Sequence, residues 1–352
     1  VVQRSSNRRQ QFEDTQKMQI NQNARLSIAP MMDWTDRHCR RFHRVLSRQV
    51  LLYTEMVTAP ALVKGGATHL LAFSEPEHPV AVQLGGSLPA ELALATRIAT
   101  DAGYDEVNLN VGCPSDRVQS GLFGAVLMEQ PALVGECVAA MIAATDLPVT
   151  VKCRIGVDDQ SPEEILPLFL ETIRAAGVQR VTIHARKAWL QGLSPKENRD
   201  IPPLDYPLVH QMKREFPQMH LSINGGIDTL DHTAEHLAAG MDGVMIGRAA
   251  YHTPADVLLN ADQQIFGQTH APVTRIDAVE IMKPYIADHI ASGGRLHQIT
   301  RHMLGLFSGL PGARQWRRRL SEGAHGPDAG LDVVDHALNA IKDPHAALRA
   351  AE

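Results

Sequence analysis

Cys113 closes the run Asn108-Leu109-Asn110-Val111-Gly112-Cys113-Pro114, where an alternation of polar and apolar residues gives way to glycine and proline. A free thiol has a pKa near about 8.5, so at neutral pH it is mostly protonated; it can donate a proton as readily as it can act as a nucleophile. Lys152 stands in the middle of Val149-Thr150-Val151-Lys152-Cys153-Arg154, and a lysine inside such a run is seldom buried without a counter-charge. Its presence there points to binding or to electrostatic work. Asn224-Gly225-Gly226 and Gly247-Arg248 are turns whose glycines let backbone N–H groups approach a phosphate, and Arg248 can add charge-assisted hydrogen bonds. Read singly, Gln83, Asn108, Asn110 and His184 do no more than satisfy a neighbouring backbone group. Their conjunction carries the signal.

The elements that must position these residues recur regularly. Eight short apolar or β-branched runs lie at Leu26–Pro30, Leu51–Met56, Pro79–Gly85, Glu106–Asn110, Pro148–Arg154, Arg180–Ala185, His220–Asn224 and Gly243–Arg248. Segments with helical spacing separate most of them, such as Pro89–Ala102, Pro131–Ala144, Pro162–Ala176 and Thr229–Ala239. Eight such alternations predict an α/β fold, a (β/α)8 TIM barrel. A doubly wound open sheet competes, but no GxGxxG turn follows the first run. In a barrel, catalytic groups sit at the C-terminal strand ends, and parity separates interior from helix-facing positions. Asn108 and Asn110 then share a face, as do Thr150, Lys152 and Arg154, Thr182 and His184, and Ser222 and Asn224, with Gln83 near the end of the third run. So many donors at one rim require a polar ligand to satisfy them. The turns after the seventh and eighth runs suit a phosphorylated one, a sugar phosphate or a flavin mononucleotide alike.

From about Pro254 the pattern is helical only, at Ala278–Ser292, Leu296–Phe307, Ala313–Leu320 and Asp332–Ile341. The expected organisation is a polar N-terminal tail over 1–25, a barrel over 26–260 and a small all-helical C-terminal domain over 275–345. The basic run Arg314, Arg317, Arg318, Arg319 around Trp316 is either a solvated helix face or a hold on RNA phosphates. Against 39 acidic residues, 34 lysines and arginines leave a net charge of −5, which excludes indiscriminate nucleic-acid binding through overall charge. The four cysteines, Cys39, Cys113, Cys137 and Cys153, form no metal-ligand spacing, so no metal is expected, and all but Cys113 read as small buried hydrophobes. No apolar run approaches the roughly 18 residues of a membrane span, and the opening residues lack the apolar middle of a secretion signal, so a soluble, cytoplasmic protein is expected.

Longer stretches carry a resemblance. Ala29-Pro30-Met31-Met32-Asp33-Trp34-Thr35-Asp36-Arg37-His38, Gln83-Leu84-Gly85-Gly86, the signature from Asn108 through Met128, Thr150 through Gly156, and His184-Ala185-Arg186-Lys187-Ala188-Trp189-Leu190 continuing to Arg199 are similar to the tRNA-dihydrouridine synthases, and within them to the A subfamily. Val126 departs from the pattern, where cysteine is expected in many relatives. The resemblance implies an FMN-dependent, NADPH-driven reduction of uridine to dihydrouridine in the tRNA D-loop, at position 20 and its neighbour 20a. It implies hydride transfer from flavin N5 to uracil C6, with Cys113 protonating C5. Lys152 would stabilise the reduced flavin, Pro30, Met31 and Met32 would support its ring, and Gln83 would bond its polar edge. By the same analogy His184, Asn224, Gly225, Gly226, Gly247 and Arg248 would serve the phosphate, and Asn110, Lys196, Arg199, Arg314 and Arg317 the tRNA. No stable protein partner is implied. The competing readings are a flavin barrel reducing a free pyrimidine or another small enone, and an RNA-binding module without catalysis.

Overall fold

A computed structural model of the chain describes residues 19–115 and 121–342. Residues 1–18 of the expected tail, Asp116–Ser120 of the long signature, and positions 343–345 of the expected helical domain lie outside the described residues.

Eight parallel strands run β1 Leu26–Ile28, β2 Leu52–Thr58, β3 Val80–Gly85, β4 Glu106–Val111, β5 Val149–Arg154, β6 Arg180–His184, β7 His220–Asn224 and β8 Gly243–Ile246. Their order is β1-β8-β7-β6-β5-β4-β3-β2, and a parallel bridge between Ser27 and Leu51 brings the two ends of the sheet together. The expected (β/α)8 TIM barrel is therefore present. In β3 to β7 the residues that alternate with the polar, inward ones are apolar, Val80, Val82 and Leu84 in β3 for example, as a fully covered parallel sheet requires. Three connecting helices, Pro89–Asp101, Pro131–Ile142 and Pro162–Ala175, begin with proline in the first turn, where its missing N–H costs no helical hydrogen bond. Tyr206–Glu215, a helix not among those the spacing predicts, starts from Asp205, whose side chain accepts from the Leu208 N–H.

The chain forms two compact units. The first gathers the described residues through Met32, with Val50–Ile227 and Asp231–Gly247. The second gathers Asp33–Gln49, Asp228–Leu230 and the described residues from Arg248. The polar sequence of Asp33–Gln49 does not announce its grouping with the helices that follow the last strand.

Within the second unit, helix Arg37–Leu46 opens on Asp36, whose carboxylate accepts from the N–H groups of His38 and Cys39, both at 2.9 Å. The same carboxylate meets Arg301 at 2.6 Å and the buried His302 at 3.0 Å. Burial works to raise its pKa, yet these partners together hold it below the usual carboxylate range. Ser47, after the same helix, donates to Asp262 at 2.6 Å. Helices Arg275–Ala291, Ala313–Gly323 and Leu331–Lys342 add a core in which Trp316 is fully buried, with Nε1 donating to the Met303 carbonyl at 3.1 Å. No helix among the described residues is long and apolar enough to cross a membrane.

Part of the barrel interior is polar from its floor upward, beside an apolar cluster that includes Leu51, Ala81 and Met245. Glu106 and Arg180, the first residues of β4 and β6, are buried and ion-paired. Tyr53 donates to Glu106 at 2.8 Å, and Thr150 donates to the same carboxylate. Arg180 also donates to the Ile20 carbonyl at 3.1 Å and to Asn21 at 3.2 Å. Ile20 and Ala24 pack with Leu51, Tyr53, Ala81 and Met245, so residues 19–25 differ from the loose tail expected of them. Two apolar residues four apart on a helical turn are enough to seat the segment under the strands.

Removing one partner of a buried ion pair strands the other charge. Arg180→Met is expected to destabilise the protein by about 3–5 kcal/mol in urea unfolding, and adding Glu106→Gln should recover a large part of the loss.

Candidate active site

The side chains singled out in the sequence come together because the barrel's ladder aligns them. Asn110 pairs with Lys152, Lys152 with Thr182 and Thr182 with Ser222, which makes one inward layer. Arg154, His184 and Asn224 form the next layer toward the C-terminal end. One layer below Lys152, Gln83 pairs with Asn108, and Asn108 with Thr150.

A hydrogen-bond chain climbs through these layers from the floor. Asn108 donates to Thr150 at 2.8 Å and Gln83 donates to Asn108 at 2.8 Å. Asn110 donates to the Gln83 oxygen at 2.7 Å. The chain ends at the catalytic candidate, because Asn110 Oδ1 accepts from the N–H groups of Gly112 and Cys113, each at 3.0 Å. The Cys113 carbonyl accepts from the Ala125 N–H at 2.9 Å. Both backbone groups of Cys113 are thus tied down, while among the described residues its half-buried Sγ has only a long contact to the Ser115 hydroxyl at 3.6 Å. Asn110, expected on the tRNA, is buried and occupied by Gln83, Gly112 and Cys113. Its visible work is to hold the thiol loop.

Lys152 is half-buried, and no carboxylate or hydrogen-bond acceptor pairs with its ammonium among the described residues. Burial, reinforced by Arg154, pushes its pKa down to about 8. Arg154 is buried too, and burial lowers its pKa to about 10. Its partners are neutral backbone carbonyls: Gly112 at 3.0 Å, Lys187 at 2.9 Å and Asn198 at 2.9 Å. One guanidinium therefore fastens the loop after β4, which carries Cys113, to the loop after β6. His184 is kept neutral, its pKa well below the ordinary value through burial and then through Arg154, Lys152, Arg186 and Arg199. The charges acting most strongly on it are all positive, an arrangement that suits an anion.

The turn after β7 is shaped by what it lacks. A Cβ on Gly225 would lie 2.5 Å from His184 Cδ2, and the residue has φ +111°, so only glycine lets the imidazole sit against this backbone. Tyr206 donates to the Gly225 carbonyl at 2.5 Å, and Asn224 donates to the Met245 carbonyl at 2.8 Å. At Gly247 a Cβ would make only ordinary contacts, with Ala29 at 3.7 Å and Met31 Sδ at 3.9 Å, so this backbone is not crowded as Gly225 is. A neutral imidazole, two crowded glycines, an uncrowded one and an unpaired ammonium together fit a phosphorylated, anionic group. Pro30 and Met31 are half-buried at the end of β1, and Met32 is exposed. Arg248, next along the chain from Gly247, opens a short helix of the second unit.

Lys196 and Arg199 are exposed in the loop after β6. In the second unit Arg314 and Arg317 are exposed and paired with no carboxylate among the described residues, whereas Arg318 pairs with Glu322 at 2.9 Å and Arg319 donates to the His336 carbonyl at 2.5 Å. Cys39, Cys137 and Cys153 are buried as expected. Sequence reasoning gave no role to Glu106, Arg180, Arg154 or Asn198. The parity that turned Asn108 and His184 inward also turns Glu106, Arg154 and Arg180 inward, so the signal was there for three of them.

The family model described as Dihydrouridine synthase (Dus) matches residues 27–342. A protein of Vibrio cholerae named tRNA-dihydrouridine(20/20a) synthase is 56% identical over 323 residues, covering 92% of this chain and 98% of that relative. Its namesake in Escherichia coli K12 is 55% identical over 329 residues, covering 93% and 94%. Among solved structures, an old yellow enzyme homologue from Zymomonas mobilis superposes with a TM-score of 0.50 at 12% identity, covering 72% of this chain and 91% of that one, a likeness of fold. A barrel mouth built for an anion, a thiol fixed at its rim and a family match spanning both lead to one conclusion: the chain belongs to the dihydrouridine synthase family.

Proposed function

We propose that the chain is an FMN-dependent, NADPH-driven oxidoreductase that reduces uridine to dihydrouridine in the D-loop of tRNA, at positions 20 and 20a. The observation that carries this reading is the cationic barrel mouth, Lys152 and Arg154 beside a neutral His184, with the Cys113 thiol fixed at its edge. FMN, when bound, supplies the hydride that adds to uracil C6, having taken it from NADPH.

The chain's own residues do the rest. Gly225, Gly226 and Gly247 offer backbone to the phosphate end, with His184 and Asn224 beside them and Arg248 the next residue in the chain. Pro30, Met31 and Met32 support the ring. Gln83 retains one Nε2 hydrogen for its polar edge after bonding Asn108. Lys152 balances negative charge on the ring side of the mouth, where low dielectric makes a fixed cation more effective than in water. Cys113 donates its proton to uracil C5 and remains as the thiolate, to be reprotonated from solvent. The target base must leave its stack to reach this depth, so recognition of the folded RNA falls on shape and phosphate contacts by Lys196, Arg199, Arg314 and Arg317.

The test is reduction of an unmodified tRNA transcript by FMN-loaded protein with NADPH, with dihydrouridine mapped along the strand. Product at positions 20 and 20a is expected. Absence of product, or equal turnover of free uridine, overturns the reading.

Alanine at both Arg314 and Arg317 is expected to weaken tRNA binding about tenfold and to flatten its salt dependence by about two units of slope, with flavin content unchanged. Filter binding across a salt series measures it.

A further inference from the structure

Of the three tryptophans, Trp316 is fully buried and Trp34 is stacked on Tyr251 at 4.5 Å between ring centroids, whereas Trp189 is 38% exposed. Exposure of an indole on a mobile loop would mean little, but the backbone that carries this one is hydrogen-bonded at Trp189 itself and on both sides of it. The Trp189 N–H donates to Asn198 Oδ1 at 2.7 Å, and its carbonyl accepts from Asn198 Nδ2 at 2.8 Å. Asn198 is completely buried, and its Nδ2 also reaches the Leu193 carbonyl at 3.2 Å. On one side Ala188 bridges to Val157, and on the other the Leu190 N–H donates to Asp158 at 2.7 Å. Arg154 holds the Lys187 and Asn198 carbonyls to the Gly112 carbonyl beside Cys113. The ring has a cation at its face: Lys187 Nζ lies 5.6 Å from its centroid, itself held by the Gln160 carbonyl at 2.7 Å.

A rigid backbone, an outward aromatic face, an adjoining ammonium and two further exposed cations in the same loop, Lys196 and Arg199, form a surface for an aromatic anion chain. Single-stranded nucleic acid has that chemistry, since each base offers a π-face and each link a negative charge. We propose that Trp189, with Lys187, is a stacking subsite for a nucleobase flanking the target uridine in the tRNA. Extracting one base from a stacked loop leaves its neighbours without a partner on one side. Trp189 replaces that partner on the enzyme, one guanidinium away from the loop of the proton donor. This assignment rests on the tRNA reading above and adds to it a residue that chooses how the loop is opened.

The experiment uses FMN-loaded protein and tRNA transcripts carrying 2-aminopurine next to the target uridine. Wild-type protein should quench the probe. Trp189→Ala should lose the quench and weaken tRNA binding about tenfold, whereas Trp189→Phe, which keeps a π-face, should retain the quench and bind within about threefold of wild type. Flavin content and its bleaching by NADPH should be unchanged in both. Binding by Trp189→Ala within twofold of wild type, equal losses for Phe and Ala, or an undiminished quench in the Ala variant overturns the subsite. Dihydrouridine formed by wild-type protein alongside any of those results leaves the function standing, and its absence in wild type is the failure of the function instead.

Discussion

Cys113→Ala is expected to keep a full complement of flavin that NADPH still reduces, and to form dihydrouridine at least about a hundredfold more slowly than wild type. The backbone explains why the loss should be confined to chemistry. Asn110 accepts from the Cys113 N–H and Ala125 donates to its carbonyl, and neither bond involves the sulfur. The substitution therefore removes an acid without loosening the loop, and the pyrimidine is left with negative charge at C5 after hydride addition. Cys113→Ser tests the same point more severely, since a hydroxyl of similar size is a far weaker acid. Single-turnover measurement, with flavin prereduced by NADPH and then mixed with tRNA, separates the two half-reactions. Turnover near the wild-type rate in either variant removes Cys113 from its role as proton donor.

Lys152→Met is expected to affect the other half. Loss of the ammonium should slow NADPH-driven bleaching of the flavin by about 10²-fold and weaken flavin retention, as removal of a fixed charge from a water-poor site commonly does. The sign of the pH dependence follows from the lowered pKa. A lysine whose pKa is pushed down to about 8 carries its charge fully below that pH and loses it above, so the bleaching rate should fall as pH rises through 8. Lys152→Arg should move the fall to higher pH, because guanidinium stays charged. For stability the same shift acts oppositely. The unfolded lysine holds its proton up to about 10.5, so the cost of keeping a buried ammonium is fully present below pH 8 and is relieved between 8 and 10.5. Stopped-flow absorbance at the flavin band across pH 6.5–9.5, a range chosen to bracket about 8, gives the profile.

The strand positions and the inward face of the barrel were legible because parallel strands speak in alternation. Val107, Leu109 and Val111 against Asn108 and Asn110 is a pattern no neighbour can disguise, and all eight strands lie within two or three residues of where the runs place them. Helix Arg37–Leu46 escaped because its sequence, Arg-His-Cys-Arg-Arg-Phe-His-Arg-Val-Leu, buries arginines and histidines that hydropathy assigns to solvent. The site was legible as a set of donors and not as a network. Spacing places Asn110 at the mouth, but only coordinates reveal that its amide is spent on Gly112 and Cys113 and so positions the thiol. Asn198 was silent, since its side chain acts only on the backbone of its own loop, and Arg154, legible as an inward side chain, gave no sign of the three backbone carbonyls it holds.

The guanidinium of Arg154 bears on how relatives with other RNA targets can be made or can arise. Because it grips the carbonyls of Gly112, Lys187 and Asn198 at once, the loop after β6, proposed above to meet the tRNA, is not a detachable cassette. A transplanted loop that fails to present two carbonyls at the same spacing would let go of the segment behind the proton donor, so chimaeras that redirect target choice should fail in turnover before they fail in docking. Successful exchanges will be those that carry this three-way clasp across intact.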